Sequence, residues 1–137
     1  MIYLLDTNAC IALIDGRPST VRARFADAVK AGHQALVSAI AAFELWYGVD
    51  KSAHPDANAA RVQTFFAGPV ALLPFDEEDA MSGGAIRAAA EKAGRPIGPY
   101  DLLMAAQASR RRLTLVTANA REFRRVKGLL WEDWAKP

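Results

Sequence analysis

The chain has 137 residues, of which 52% are hydrophobic and 23% are charged, and its formal net charge is +2. These values are typical of one folded domain and exclude a disordered chain, and no apolar run approaches the roughly 20 residues that a membrane-spanning helix needs. The only cysteine, Cys10, has no partner within the chain, which suits a reducing cytoplasm. We also expect a single domain over residues 1–137, without a signal peptide.

Strands and helices alternate in the first half of the predicted chain. The apolar stretch IYLL, residues 2–5, predicts a strand. A short helix follows, with Asp6 or Thr7 as its N-terminal cap and Gly16 at its end. The stretch STVRARFADAVKAG predicts an amphipathic helix, QALVS predicts a second strand, and AIAAFELWYGV predicts a third helix.

The second half continues this alternation. PDANAARVQTFFAG predicts a helix, VALLPF a third strand, and DEEDAMSGGAIRAAAEKAG a helix in which Gly83 and Gly84 favour a kink or close packing. DLLMAAQASRRR predicts a helix, LTLVTA a fourth strand, NAREFRRV a short helix and GLLWEDW an edge strand. This order indicates an α/β fold whose mostly parallel sheet of four to five strands is covered by helices on both faces.

Three carboxylates stand alone in apolar surroundings. Asp6 follows the first strand, Glu44 lies within SAIAAFELWYGV, and Asp101 lies within IGPYDLLMAAQA. Burying an unpaired carboxylate costs several kcal/mol. Each acid alone also has a structural explanation: a helix cap for Asp6, a buried arginine partner for Glu44, and a favourable helix dipole for Asp101. Because parallel sheets collect functional groups at the carboxyl ends of their strands, we expect the three acids to converge.

Converging carboxylates require either raised pKa values or a divalent cation between them. The candidate ligands are all oxygen atoms, without a cysteine cluster or paired histidines, so Mg²⁺ or Mn²⁺ suits them and zinc does not. Mg²⁺ typically binds a few carboxylates, keeps several waters and meets substrate phosphates. The residues therefore predict metal-assisted chemistry on a phosphate ester.

Four segments of this sequence resemble, in order, the motifs of the PIN domain family, in particular of its VapC-type toxins. They are YLLDTNACIALI, SAIAAFELWYGV, IGPYDLLMAAQA and LTLVTANAREFRRVKGLLWEDW, and together they span nearly the whole chain. The resemblance implies a PIN-like three-layer sandwich. It also implies a metal-dependent endoribonuclease that acts as the toxin of a toxin–antitoxin pair.

The resemblance also assigns the site. It makes Asp6, Glu44 and Asp101 the catalytic and metal-binding acids, with Mg²⁺ or Mn²⁺ as the cofactor. Asn119 stands where many family members have a fourth acid, and its neutral carbonyl oxygen would hold a second metal more weakly. Glu122 either adds charge nearby or caps the short helix that contains it.

Two further polar residues match auxiliary positions of the family. Thr117 and Asn8 are expected to help to hold metal or water. Thr7 is expected to cap the first helix, although it could serve the site in the same way.

The implied reaction is hydrolysis of a phosphodiester. Water activated by the metal attacks phosphorus in line with the leaving 3′ oxygen, which leaves a 5′-phosphate and a 3′-hydroxyl. Glu44 or Asp101 accepts the proton of the water. The resemblance implies structured RNA as substrate, often tRNA cut in a single-stranded loop, where bases are accessible to a protein.

Two protein partners are also implied by the resemblance. One is a small VapB-type antitoxin that wraps the toxin and sends an arginine toward the acids, since a guanidinium matches carboxylates in fork geometry. The other is a second copy of the chain. Trp46, Tyr47, Phe65 and Phe66 are candidates for exposed apolar surface, although core positions are equally open to them.

Charge clusters away from the acids have both structural and functional interpretations. Seven cationic residues near the C-terminus suit an RNA-binding surface once the resemblance is considered: Arg110, Arg111, Arg112, Arg121, Arg124, Arg125 and Lys127. The acidic run Asp76–Asp79 is predicted to complement a helix dipole.

Three alternatives to a toxin nuclease follow from the same residues. A PIN-like RNA-binding module without catalysis would need a degraded site, and the three acids are intact. A general RNA-processing nuclease would use the same residues. A haloacid-dehalogenase phosphatase is disfavoured, because Asn8 occupies the place of its second aspartate.

Overall fold

The computed structural model describes residues 1–137 as five strands and seven helices. The strands are β1 (Ile2–Leu5), β2 (Gln34–Ser38), β3 (Ala71–Leu73), β4 (Thr114–Val116) and β5 (Leu130–Glu132). The helices are α1 (Thr7–Asp15), α2 (Ser19–Lys30), α3 (Ala39–Asp50), α4 (Pro55–Phe66), α5 (Glu77–Lys92), α6 (Pro99–Arg111) and α7 (Ala120–Phe123). None of these helices combines the length and the apolar character that crossing a membrane requires.

The five strands form one sheet in the order β3-β2-β1-β4-β5. Every neighbouring pair is parallel, so the predicted mostly parallel sheet is in fact entirely parallel. Right-handed crossovers place α1 to α4 on one face and α5 to α7 on the other. The predicted edge strand is confirmed as β5, and the predicted α/β sandwich with helices on both faces is confirmed.

The central strands are buried because helices cover both of their faces. Leu4 and Leu5 of β1, Val37 of β2 and Leu115 of β4 have no exposed surface. A strand with one face in solvent would alternate apolar and polar residues, whereas these strands are apolar at consecutive positions. The uninterrupted apolar runs in the sequence therefore encode the parallel sheet.

Helix α1 is held at both of its ends by residues that the sequence identified. Its N-terminal cap is Asp6, whose Oδ1 accepts a hydrogen bond of 2.7 Å from the backbone N–H of Ala9. The chain leaves the helix at Gly16, which has a φ of 76° that residues with a side chain rarely adopt. Capping by Thr7, the other residue considered from the sequence, does not occur.

Helix α5 continues through the two adjacent glycines. Gly83 is buried, and a Cβ atom at this position would lie 3.5 Å from Leu103 Cδ2 and 3.7 Å from Ala106 Cβ of helix α6. A Cβ atom at Gly84 would meet nothing. The predicted close packing therefore occurs at Gly83, where α5 lies against α6.

The acidic run at the start of α5 does more than complement the helix dipole. Asp76 and Asp79 form a reciprocal capping box, in which each side chain accepts a hydrogen bond from the backbone N–H of the other. Arg110 and Arg111 of helix α6 both form ion pairs with this box. The carboxylate of Asp79 is fully buried and also accepts a hydrogen bond from Gln107.

This cluster corrects one prediction from the sequence. Arg110 and Arg111 were counted among the cations of an RNA-binding surface, yet the acids of α5 occupy their guanidinium groups. Arg125 donates to the carbonyl oxygen of Pro96. The basic surface near the C-terminus is therefore smaller than the sequence indicated.

The C-terminal segment is anchored by an aromatic group. Trp134 is 2% exposed, and its ring lies 5.0 Å from the ring of Tyr3 in an edge-to-face arrangement. Its indole N–H donates to Glu132, while Thr20 donates to the carbonyl oxygen of Ala135. Trp134, whose role the sequence left open, is thus a core residue that fixes the chain after β5.

Candidate active site

The order in which consecutive strands are added to the sheet reverses between β1 and β4. From β1 the chain proceeds to β2, whereas from β4 it proceeds to β5 on the other side. Crevices at such a reversal, outside the carboxyl ends of the strands, are the usual ligand sites of parallel sheets. Asp6 follows β1 at this point, and its backbone N–H donates to Val116 at the end of β4 over 3.1 Å.

Asp6 is the buried member of the acidic group. Its side chain accepts the capping hydrogen bond from Ala9, and the residue is only 3% exposed. The pKa of Asp6 is raised to about 6, chiefly by burial and to a smaller extent by the carboxylates of Asp101 and Glu44, while Thr117 and the backbone N–H of Ala9 oppose the rise. Asp101 and Glu44 therefore lie close enough to Asp6 to influence its pKa, and the joint role of the three acids as a catalytic group stays a prediction.

Glu44 is presented by helix α3, which begins directly after β2. It is half-buried, and its Oε1 accepts a hydrogen bond of 2.6 Å from the Thr7 hydroxyl. The predicted capping role of Thr7 is wrong, because Asp6 caps α1. Thr7 instead orients Glu44, which links the start of α1 to α3.

Asp101 lies in the first turn of α6. Burial raises its pKa, the neighbouring Glu122 carboxylate raises it further, and a hydrogen bond from Asn119 opposes this rise. That bond runs from the Asn119 amide to Asp101 Oδ2 over 3.3 Å. Glu44 also raises the pKa of Asp101, so both acids face the same region.

Glu122 is a fourth carboxylate at this site. It accepts a hydrogen bond from the backbone N–H of Gly98, the residue that precedes α6, and a second bond of 3.0 Å from the Asn119 amide. Gly98 has no side chain with which to cap the helix. Of the two roles considered from the sequence, Glu122 adds charge beside Asp101, and it caps α6 rather than its own helix.

The auxiliary residues occupy different positions around the acids. Thr117 is buried at the end of β4, where its Oγ1 accepts the backbone N–H of Asn119 over 2.9 Å. Asn119 reaches Asp101 and Glu122 as described. Asn8 is exposed in the first turn of α1 and lines a neighbouring cavity rather than the acidic group itself.

The donor set suits a hard divalent cation, although it is not preassembled. No three acidic, histidine or cysteine side chains lie close enough to form a complete metal-ligating group. Each acid instead accepts a hydrogen bond from another residue of the protein: Asp6 from Ala9, Glu44 from Thr7 and Asp101 from Asn119. Mg²⁺ commonly uses one or two carboxylates and keeps its waters, so this arrangement accommodates it chemically.

Two cavities of about 300 and 320 Å³ flank α1 on the side of Glu44. Ile14 and Arg61 line both of them, and Arg61 is paired with Asp15 over 2.9 Å. One cavity includes Glu44, and the other extends to Phe65. Together they form a partly apolar groove, here called the α1–α4 groove, that leads from helix α4 to the acidic group.

Comparison with known protein families gives a match over most of the chain. The PIN domain family matches residues 3–129. The chain is 41% identical over 133 residues to the tRNA(fMet)-specific endonuclease VapC of Shigella flexneri, which covers 97% of this chain and 98% of that protein. It is 39% identical over 132 residues to Ribonuclease VapC2 of Haemophilus influenzae, with coverage of 96% and 97%.

Solved structures show the same similarity in three dimensions. A chain of VapBC2 from Rickettsia felis, bound to a DNA fragment from their promoter, superposes with a TM-score of 0.91 at 33% identity, over 98% of this chain and 99% of that one. A chain of DNA-bound VapBC from Salmonella typhimurium gives a TM-score of 0.89 at 39% identity, over 98% of both chains. The fold of this chain thus recurs in these complexes.

Proposed function

This chain belongs to the PIN domain family and is a ribonuclease toxin of the VapC type, and from that premise we propose that it cleaves tRNA at its acidic site with Mg²⁺ or Mn²⁺. The relatives named for tRNA(fMet) cleavage align over nearly their whole length, which supports tRNA as the substrate class. An RNA substrate also places the activity in the cytoplasm.

One observation carries the proposal: three carboxylates separated in sequence influence one another at a single edge of the sheet. Asp101 and Glu44 both raise the pKa of Asp6, and Glu44 raises that of Asp101. This repulsion between carboxylates does not stabilise the fold. A buried acid with a raised pKa in a crevice is typical of a functional site, which supports catalysis over a binding module that has lost its site.

A bound divalent cation would neutralise charge on the scissile phosphate and lower the pKa of a water. Asp6, Glu44 and Asp101 are the residues that we propose to hold it, with Glu122 adding charge. Asp6 is fixed as a buried charge, whereas Glu44 and Asp101 are half-buried and open to a water molecule. We therefore assign the acceptance of the water's proton to Glu44 or Asp101.

Cations that remain free of the α5 cluster lie beside the site. Arg121 and Arg124 are exposed at and just after helix α7, which begins directly after Asn119. Guanidinium groups bind phosphate, so this short segment would contact the RNA backbone close to the acids. Of the cations predicted to bind RNA, we therefore retain Arg121 and Arg124 and omit Arg110 and Arg111.

We place the VapB-type antitoxin in the α1–α4 groove. The structural neighbours are VapBC complexes, which supports such a partner. An apolar segment bound along Ile14 and Phe65 would end at Glu44, where an arginine of the antitoxin would meet the acids.

We place a second copy of the chain against the exposed aromatic side chains of α3 and α6. Phe43 and Tyr47 are more than half exposed, and the Phe43 ring lies 5.6 Å from the ring of Tyr100. Of the residues considered from the sequence, Tyr47 is exposed, whereas Trp46, Phe65 and Phe66 pack against the core. Aromatic side chains at the centre of an interface supply much of its binding energy.

Both assemblies can be measured in one experiment. Light scattering of the purified chain should give twice its mass of 14.8 kDa. Co-expression with the product of the adjacent reading frame should give a larger, stable complex. Phe43→Ser should reduce the mass of the free chain to that of a monomer. A monomeric wild-type chain would contradict the dimer, and no complex with that product would contradict the antitoxin proposal.

The function itself is tested by incubating the purified chain with total tRNA in the presence of Mg²⁺ or Mn²⁺. We expect cleavage within a single-stranded loop, with 5′-phosphate and 3′-hydroxyl ends, because water rather than the ribose 2′-hydroxyl attacks. EDTA should stop the reaction. Cleavage that continues in EDTA, or ends that carry a cyclic phosphate, would contradict the proposed reaction.

A further inference from the structure

A third cavity, here called the β5 cavity, opens on the other side of helix α1 from the α1–α4 groove. It measures about 310 Å³, which is the lower end of the range for pockets that bind small ligands. Its walls come from α1, from the start of α2, and from the residues that follow β4 and β5, so it lies at the same sheet edge as the acids. Asn8, Ala9, Thr117 and Asp133 are among the residues that line it.

The β5 cavity lies next to the acidic group. Ala9 donates its backbone N–H to Asp6, and Thr117 lies close enough to Asp6 to lower the pKa of that carboxyl. Both residues also line the cavity. A nucleotide whose phosphate lies at the acids would therefore have its neighbouring base within reach of this cavity.

The walls and the mouth of the β5 cavity differ in chemistry. The walls are mainly apolar and include Val21 and the anchored ring of Trp134. At the mouth, Arg17 and Asn8 are exposed and take part in none of the side-chain hydrogen bonds or ion pairs of the protein. Asp133 is half-buried there, and only its Oδ1 is used, accepting the backbone N–H of Ala135 over 2.9 Å.

Apolar walls with a few polar groups at the rim are what an unstacked base requires. The faces of the base pack against apolar side chains, and its edge forms hydrogen bonds. An ionised carboxylate only accepts hydrogen bonds, so Asp133 selects an edge that donates. Adenine, cytosine and guanine present an exocyclic amino group, whereas uracil presents carbonyl oxygens on both sides of its single N–H.

We propose that the β5 cavity binds an amino-bearing base of the RNA, next to the cleaved phosphate, and that Asp133 reads its amino group. This inference rests on the proposed ribonuclease function and adds a determinant of specificity to it. Arg17 at the mouth contacts the phosphate or the ring face of the same nucleotide. Uracil and hypoxanthine are disfavoured because each brings a carbonyl oxygen toward the Asp133 carboxylate.

The test uses RNA hairpins that the wild-type chain cuts, with each of the two nucleotides that flank the cut changed in turn. Cytidine is replaced by uridine and adenosine by inosine, each of which exchanges the amino group for a carbonyl oxygen, and guanosine is replaced by inosine, which removes its amino group. We expect kcat/KM of the wild type to fall at least about tenfold at one of the two positions, the range that one base contact supplies. Equal cleavage of all the hairpins would overturn the proposal.

Asp133→Asn is the matching protein variant. The asparagine keeps an oxygen for Ala135 and gains an N–H₂ group that donates to a carbonyl, so the preference for the amino-bearing base should shrink to about twofold or reverse. Asp27→Asn removes the same charge from an exposed position of α2 and should keep the wild-type preference. An unchanged preference in Asp133→Asn would also overturn the proposal.

Measurements of RNA binding distinguish this inference from the proposed ribonuclease function on which it rests. The same hairpins are titrated against Asp101→Asn, with and without Asp133→Asn, by fluorescence anisotropy. If the wild type cuts no RNA but Asp133 still sets the base preference in binding, the ribonuclease proposal fails and the base cavity stands. If cleavage occurs without any such preference in binding or in kcat/KM, the cavity proposal fails alone.

Discussion

Asp6→Asn is expected to abolish RNA cleavage and, in the same protein, to raise stability. The activity should fall at least about a hundredfold, as expected when a charge that stabilises the transition state is removed. The amide keeps the oxygen that caps α1 through Ala9, so the helix should remain intact. Initial rates on one tRNA substrate at saturating Mg²⁺ measure the effect.

The gain in stability follows from the raised pKa of Asp6. Below pH 3.8 the carboxyl is protonated in both the folded and the unfolded chain, and wild type and variant should be equally stable. Between pH 3.8 and about 6 the carboxyl ionises in the unfolded chain but stays mostly protonated in the folded chain, so the wild type loses stability as the pH rises. Above this window, Asp6→Asn should be more stable by up to about 3 kcal/mol without metal.

Urea unfolding at pH 4 and pH 7.5, in EDTA, measures this difference. Added Mg²⁺ should narrow the gap at pH 7.5, because a cation stabilises the folded wild type and binds the variant less well. Glu44→Gln and Asp101→Asn should lose cleavage in the same way, and Asp27→Asn should retain it. Full activity in any of the three acid variants would remove that residue from the site.

Asp79→Ala is expected to lower the free energy of unfolding by about 3 kcal/mol, as observed when one member of a buried ion pair is removed. The substitution removes the capping box of α5 and leaves Arg110 and Arg111 without their buried partner. It also removes an acceptor from Gln107, whose Oε1 already has no partner. Urea unfolding at pH 7 measures the loss.

Glu78→Ala is the control for this cluster. Glu78 pairs with Arg110, but its side chain is 73% exposed, so the loss should stay below about 1 kcal/mol. RNA cleavage per folded molecule should be unchanged in both variants, because the cluster lies away from the acids. A loss in Asp79→Ala no larger than that in Glu78→Ala would contradict the assigned role of the buried carboxylate.

The lowered pKa of the Asp79 carboxyl also predicts how the free energy of unfolding depends on pH. Burial alone would raise its pKa, but hydrogen bonds from Arg111, from the backbone of Asp76, and from Gln107 and Arg110 lower it well below the ordinary range. Its contribution is therefore complete above the unfolded pKa near 4 and is lost as the pH falls through the folded value. In Asp79→Ala the decline of stability below pH 4 should be shallower.

The sheet and the convergence of the acids could be predicted from the sequence because local patterns encode both. Apolar runs such as residues 2–5 identify buried parallel strands, and an acid directly after such a run must lie at the carboxyl edge. Asp6 reaches the site for this reason, and Glu44 reaches it because helix α3 begins directly after β2. The PIN resemblance then added the family's fold and chemistry.

Contacts between distant polar groups could not be predicted in this way. Thr7 has the residue type and position of a helix cap, and nothing local shows that its hydroxyl turns to Glu44. Arg110 and Arg111 belong to a basic run, and only the packing of α5 on α6 brings Asp79 to them. A count of charges along the chain therefore overestimated the surface available to RNA.

The Asn119 amide connects two carboxylates that have different roles. It donates to Asp101 Oδ2 and to Glu122 Oε2, and Glu122 in turn secures the start of α6 through Gly98. A cation held by Asp101 would compete with the Asn119 amide for this carboxylate, and the amide would keep its hydrogen bond to Glu122. Asn119 directly precedes α7, so its amide connects the start of α6 to the segment that carries Arg121.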